Sequence, residues 1–87
     1  MQPTPSFARG PRDLQTRYLR KDGRSIAVLR TVDHGDTCVV EAEVFPASGG
    51  FPARPGPYTF ADERQATAFV SDAVEALMYL GCDVSDT

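Results

Sequence analysis

Apolar and polar residues alternate with a period of two from Leu14 to Phe45, and the pattern changes to a period near 3.6 from Ala66 to Leu80. The first pattern belongs to half-buried strands and the second to an amphipathic helix. Two turn signals cut the first stretch into three strands. Asp22-Gly23, between Lys21 and Arg24, suits a type I′ turn, in which both central residues take positive φ. That turn predicts Leu19 opposite Ile26 and Arg17 opposite Val28. The second turn is read at His34-Gly35, again with glycine for the positive φ. A two-residue loop there sets Thr31 opposite Cys38, Leu29 opposite Val40 and Ala27 opposite Ala42.

Register decides which face is buried, because a slip of one residue exchanges the faces. In this register one face is Leu14, Thr16, Tyr18, Ala27, Leu29, Thr31, Cys38, Val40, Ala42 and Val44, without a charge. The other is Gln15, Arg17, Leu19, Ile26, Val28, Arg30, Val39, Glu41, Glu43 and Phe45. A longer loop with a bulge at Gly35 would bring Arg30 to the cysteine face. Burying an unpaired guanidinium is costly, which favours the shorter loop.

Seven of the twelve residues from Pro46 to Pro57 are Gly or Pro, so this segment is neither helix nor central strand. Tyr58 to Phe60 then reads as a brief fourth strand. Asp62 is placed to cap a helix, with Gln65 three residues on as in a capping box. Ala66, Phe69, Val70, Ala73, Leu77 and Leu80 form its apolar stripe, Tyr79 falls on the opposite side, and Gly81 stands where helices end.

These elements predict an α+β, two-layer domain over residues 14–82: an antiparallel sheet of three to four strands, in the order β-β-β-short β-α, with one long C-terminal helix on one sheet face. Residues 1–13 and 83–87 read as tails, the first disordered. The expected core is Tyr18, Ala27, Leu29, Cys38, Val40, Ala42, Tyr58, Phe60, Ala66, Phe69, Val70, Ala73, Leu77 and Leu80.

Length and composition narrow the function. At 87 residues the core is thin, which makes association with a partner a natural source of further apolar burial. Two cysteines, Cys38 and Cys82, and a single histidine, His34, fall short of a zinc ligand set, so no metal is expected. The thiols read as buried and unpaired. His34 sits in a turn beside Asp33 and Asp36, and no serine, threonine or cysteine stands in a nucleophile signature. The expectation is a non-enzymatic protein with no cofactor. The first residues lack the apolar stretch of a secretory signal and no run is long enough to span a membrane, which points to the cytoplasm and to no membrane partner.

Charge is where the chain departs most from average. Residues 1–30 hold seven basic side chains against two acids, and residues 31–87 hold two against ten, which together give the net charge of -3. Two surfaces follow. Arg17, Leu19, Ile26, Val28, Arg30, Val39, Glu41 and Glu43 form a mixed face that a single helix cannot cover, a candidate protein interface. Because it carries both signs it can meet its own copy in a homodimer. Arg17, Arg20, Lys21 and Arg24 form a basic hairpin, a candidate patch for nucleic acid or another polyanion. The acidic remainder of the chain and the lack of a base-reading motif make it the weaker alternative. The function expected is a small protein-interaction module able to self-associate.

Overall fold

A computed structural model describes residues 10–86. Its elements are β1 (Arg12–Lys21), β2 (Arg24–Asp33), β3 (Cys38–Val44), β4 (Tyr58–Phe60), α1 (Glu63–Tyr79) and β5 (Asp83–Asp86). All strands join one antiparallel sheet in the order β4-β3-β2-β1-β5, and α1 packs on one face. The α+β layout is the predicted one with a fifth strand added.

That strand corrects the reading of residues 83–87 as a tail. Gly81, at φ 94°, turns the chain back after Leu80. The Gly81 N–H donates to the Met78 carbonyl (2.9 Å) and the Cys82 N–H to that of Leu77 (3.1 Å), the paired bonds of a Schellman closure. The returning chain then lies along β1, with Val84 opposite Leu19 and Asp86 opposite Arg17. Arg12 and Asp13, also read as tail, begin β1; Gly10 and Pro11 before them are exposed and irregular, and residues 1–9 of that proposed tail lie outside the described residues.

The first hairpin turns at Asp22-Gly23 as expected, with φ of 54° and 78°. Its register then shifts. Lys21 faces Arg24 and Arg20 faces Ser25, but Leu19 faces Ala27, leaving Ile26 as an extra residue in β2. One added residue exchanges the faces of β1 from Leu19 back to Gln15, and a second shift at Leu14 returns Leu14 to the core side. Leu19, read as an interface residue, is therefore fully buried in the core, while Tyr18, read as core, is half-buried on the opposite face. The exchange is favourable: Leu19 is wholly apolar, whereas a buried Tyr18 hydroxyl would need a partner.

The second loop is longer than predicted, running from His34 to Thr37, so that Asp33 pairs with Cys38 and Thr31 with Val40. The Asp33 carboxylate accepts from the Gly35 N–H (2.8 Å) and the His34 N–H donates to the Thr37 carbonyl (2.9 Å), which closes the turn. Pairing moves by two residues relative to the shorter loop. An even shift keeps each side chain on its face, and Ala27, Leu29, Thr31, Cys38 and Val40 are buried together beneath α1.

Helix α1 is capped as predicted: the Asp62 carboxylate accepts from the Gln65 N–H (2.9 Å), while the Gln65 side chain accepts from the Ala61 N–H (3.2 Å). Ala66, Val70 and Val74 are its buried stripe, flanked by Phe69, Ala73 and Leu77. Leu80, placed in the core from the sequence, is 67% exposed because it is the C-cap, where the chain leaves the helical path. Tyr58, also placed in the core, is 37% exposed on the edge strand, where its ring packs at 4.9 Å from that of Phe69. Cys38 and Cys82 are buried free thiols, and burial, with the nearby Asp33, Glu63 and Asp62 carboxylates, raises the pKa of Cys38.

Candidate protein-interaction surface

The face of the sheet turned away from α1 presents Thr16 and Tyr18 from β1, Val28 and Arg30 from β2, and Val39, Glu41 and Glu43 from β3. Its rows follow from the register: Tyr18, Val28 and Glu43 lie side by side, as do Thr16, Arg30 and Glu41. Val32, in the row of Asp13 and Val39, is buried on this face, and the face is open around Tyr18, Val28 and Arg30.

A wall rises along one side of it. After β3 the chain folds back, with reciprocal bonds of 2.8 Å between the backbones of Val44 and Ala53. It rejoins β3 only at Tyr58, opposite Val40. Between these anchors Arg54, Pro55 and Pro57 stand beside the sheet, and with Asp13, Thr16 and Tyr18 on the other side they bound an open groove of about 700 Å³ floored by Val28, Arg30, Glu41 and Glu43. Gly56 is required here. Its φ is 84°, and a Cβ at that position would lie 2.9 Å from the Tyr58 ring.

Charges in the groove are paired with one carboxylate to spare. The Arg30 guanidinium lies 3.5 Å from the Asp13 carboxylate and 3.2 Å from that of Glu41. Arg54 donates through Nε and Nη2 to the Glu43 carboxylate, at 3.2 and 3.1 Å. These half-exposed pairs add little stability, about 0–1 kcal/mol each. They do fix two guanidinium groups and three carboxylates around the half-buried side chains of Tyr18 and Val28.

Of the eight residues expected at this interface, Val28, Arg30, Val39, Glu41 and Glu43 occupy the face. Arg17, Leu19 and Ile26 do not. Leu19 is in the core and Ile26 packs against it. Arg17 turns to the helix side and pairs with Asp86 of β5. The wall residues Arg54, Pro55 and Pro57 were missed, since no periodicity marks a loop as the side of a groove.

The four basic hairpin residues are not gathered into one cluster. Arg17 has Asp86, Arg20 faces Asp83 across the β1–β5 pair, Lys21 lies against Gly81, and Arg24 reaches the Pro46 carbonyl at 3.5 Å. The acidic strand β5 beside β1 offsets the cations that the sequence brings together.

The hairpin end carries something else. The β3–Ala53 turn and the C-terminus of α1 arrive there with it, because Val44 pairs with Ala27 and Gly81 meets Lys21. Phe51 is 95% exposed, Tyr79 87%, and Leu80 and Met78 more than half. Phe51 had a signal in the sequence, an aromatic in a Gly-Gly-Phe-Pro run, and so did Tyr79, which falls opposite the apolar stripe of the helix. Leu80 continued the apolar stripe of the helix, and its exposure follows from its place at the C-cap.

His34 is exposed in its turn, and among the described residues no three His, Cys, Asp or Glu side chains form a group able to hold a metal ion. No helix among them is long and apolar enough to cross a membrane. No protein-family model, curated protein or solved structure matches the chain.

Proposed function

We propose that this protein is a small non-enzymatic interaction module that docks a protein partner, a second copy included, in the groove on its outer sheet face. The observation that carries this reading is the groove itself: the apolar side chains of Val28 on its floor and Tyr18 at its side, ringed by fixed charges of both signs, on the sheet face turned away from α1. Interfaces combine an apolar centre with a polar rim in this way, and such rims give specificity more than affinity.

The test is Val28→Glu. Placed between Tyr18 and Glu43, a glutamate desolvates poorly and repels its neighbour, so docking is lost while the inner core is untouched. Bait protein with Val28 should capture a partner that the Val28→Glu bait does not, at equal helix content by circular dichroism. Capture indifferent to that substitution would remove the groove from the function.

A further inference from the structure

The groove carries more acid than base. Arg30 is shared between two carboxylates, Asp13 at 3.5 Å and Glu41 at 3.2 Å, whereas Arg54 serves Glu43 alone. Outside the groove the same sheet face adds Arg20, which stands opposite Asp83 across the β1–β5 pair. The other cations of the strands are on the helix side. Arg12 and Arg17 are held there by Asp33 and Asp86, and Lys21 lies against Gly81 with Arg24 paired opposite it. Among the described outward-facing side chains of the strands and the wall, a surplus of one carboxylate therefore remains. The net charge of the chain, -3, has the same sign. Asp13 and Glu41 keep accepting capacity, since a carboxylate can take several N–H donors.

The apolar part of the groove lies one row away from that surplus. Tyr18 and Val28 share a row with Glu43, and Thr16, Arg30 and Glu41 form the next. Rows two residues apart on a strand are separated by roughly 7 Å, and an extended chain repeats the side chains of one face at the same interval. At about 700 Å³ the groove falls within the roughly 300–1,000 Å³ of sites that hold one small ligand. It seats a short segment rather than a domain.

We infer that the occupant of the groove is an extended segment of another protein, with an apolar side chain two residues from a lysine or arginine. This deepens the groove reading and rests on it. The apolar side chain packs on Val28 beside the Tyr18 ring. The cation reaches the Glu41 or Asp13 carboxylate in the next row and shares it with Arg30. An acidic segment would have to displace Glu41 or Glu43 from its guanidinium, and a neutral one leaves the surplus carboxylate without a further partner. A second copy stacked face to face would bring its own surplus carboxylate to the contact, where like charges repel.

The test titrates a capped peptide, Gly-Ser-Leu-Ser-Arg-Ser-Gly, into the isotope-labelled full chain at low salt, followed by NMR. Saturable shifts are expected at Tyr18, Val28 and Glu41. Replacing the peptide arginine by glutamine should weaken binding roughly two- to fivefold, the range of an exposed ion pair, and glutamate in its place should weaken it further. Glu41→Gln should shrink the difference between the arginine and glutamine peptides, whereas Val28→Ser should weaken both alike. Raising the salt should reduce the preference for arginine. Equal binding of all three peptides would overturn the basic requirement, and the groove reading would stand if Val28→Ser still weakened each of them. Shifts that lie outside the groove, or that ignore Val28→Ser, would overturn the placement of the segment on this face. No shift at millimolar peptide would overturn the segment as occupant, while capture of a folded partner that fails with Val28→Glu would keep the groove. A dimer of the chain that Val28→Glu dissociates would make the second copy the occupant instead.

Discussion

Tyr18 and Leu19 are neighbours in the chain and belong to different problems. Leu19 lies on the sheet face beneath α1, has no exposed surface and touches the main core cluster. Tyr18 lies on the opposite face, half-buried at the edge of an open groove. The inner face is closed by the chain's own helix and answers for stability. The outer face is open around Tyr18 and Val28, has its charges fixed in pairs, and is the proposed docking surface. Truncating each residue to alanine separates the two roles. Leu19→Ala should cost about 2–5 kcal/mol, the range for emptying a fully buried leucine site, which is a large part of the stability of so small a domain. Tyr18→Ala should move the denaturation midpoint far less. Equal losses in urea titrations would mean that the outer face is also core.

The distinction between faces was only partly legible in the sequence. Alternation showed that two faces existed and that one could be uncharged, and β2 and β3 kept their assignments because their register moved by two residues. The assignment of β1 failed on a single residue. Ile26 has the apolar, β-branched character of a regular strand position, so nothing local marks it as the residue that bulges. The bulge is settled by what each choice buries across the whole sheet, Leu19 or Tyr18. For β5 the missing information was also non-local: Asp83–Asp86 holds one apolar residue, Val84, and pairs because Gly81 returns it to β1 and Asp86 meets Arg17.

Gly81 therefore offers the next largest way to disturb the inner face. It holds φ 94°, a conformation that costs a residue with a side chain roughly 1–2 kcal/mol, and its new Cβ would meet Lys21 Cε at 3.3 Å. Gly81→Ala should destabilise the fold by about that amount and loosen β5 first, read as faster amide exchange at Val84 than at Val40. Uniform acceleration would mean that β5 opens only with the whole domain. At the other end of α1, Asp62→Ala removes the acceptor for the Gln65 N–H and should cost about 1 kcal/mol, with no change in β5 exchange.

On the outer face the expected order reverses. Val28→Glu should shift stability by less than Asp62→Ala does, because Val28 is half-buried on an open surface, yet it should abolish docking. A variant that unfolds instead would place Val28 in the core and erase the contrast between faces.

The smallest effect concerns Asp33, a carboxylate at the rim of the inner face, paired across the ladder with the buried Cys38. The Gly35 N–H bonded to it holds its pKa below the ordinary carboxylate value of 3.8; partial burial opposes this, and the charge and hydrogen bond of Arg12 add to the lowering. A pKa depressed in the folded state means that the unfolded chain takes up the proton first on acidification. The contribution of Asp33 is thus fully present above its unfolded pKa and disappears as pH falls through the lower folded value. Asp33→Asn keeps an acceptor for Gly35 and removes the charge. Its melting temperature should lie slightly below that of the parent chain at neutral pH, and the gap should close as the pH drops below the ordinary carboxylate range. A gap that widens on acidification would mean that the carboxylate is strained in the folded turn and that the rim of the inner face gains nothing from its charge.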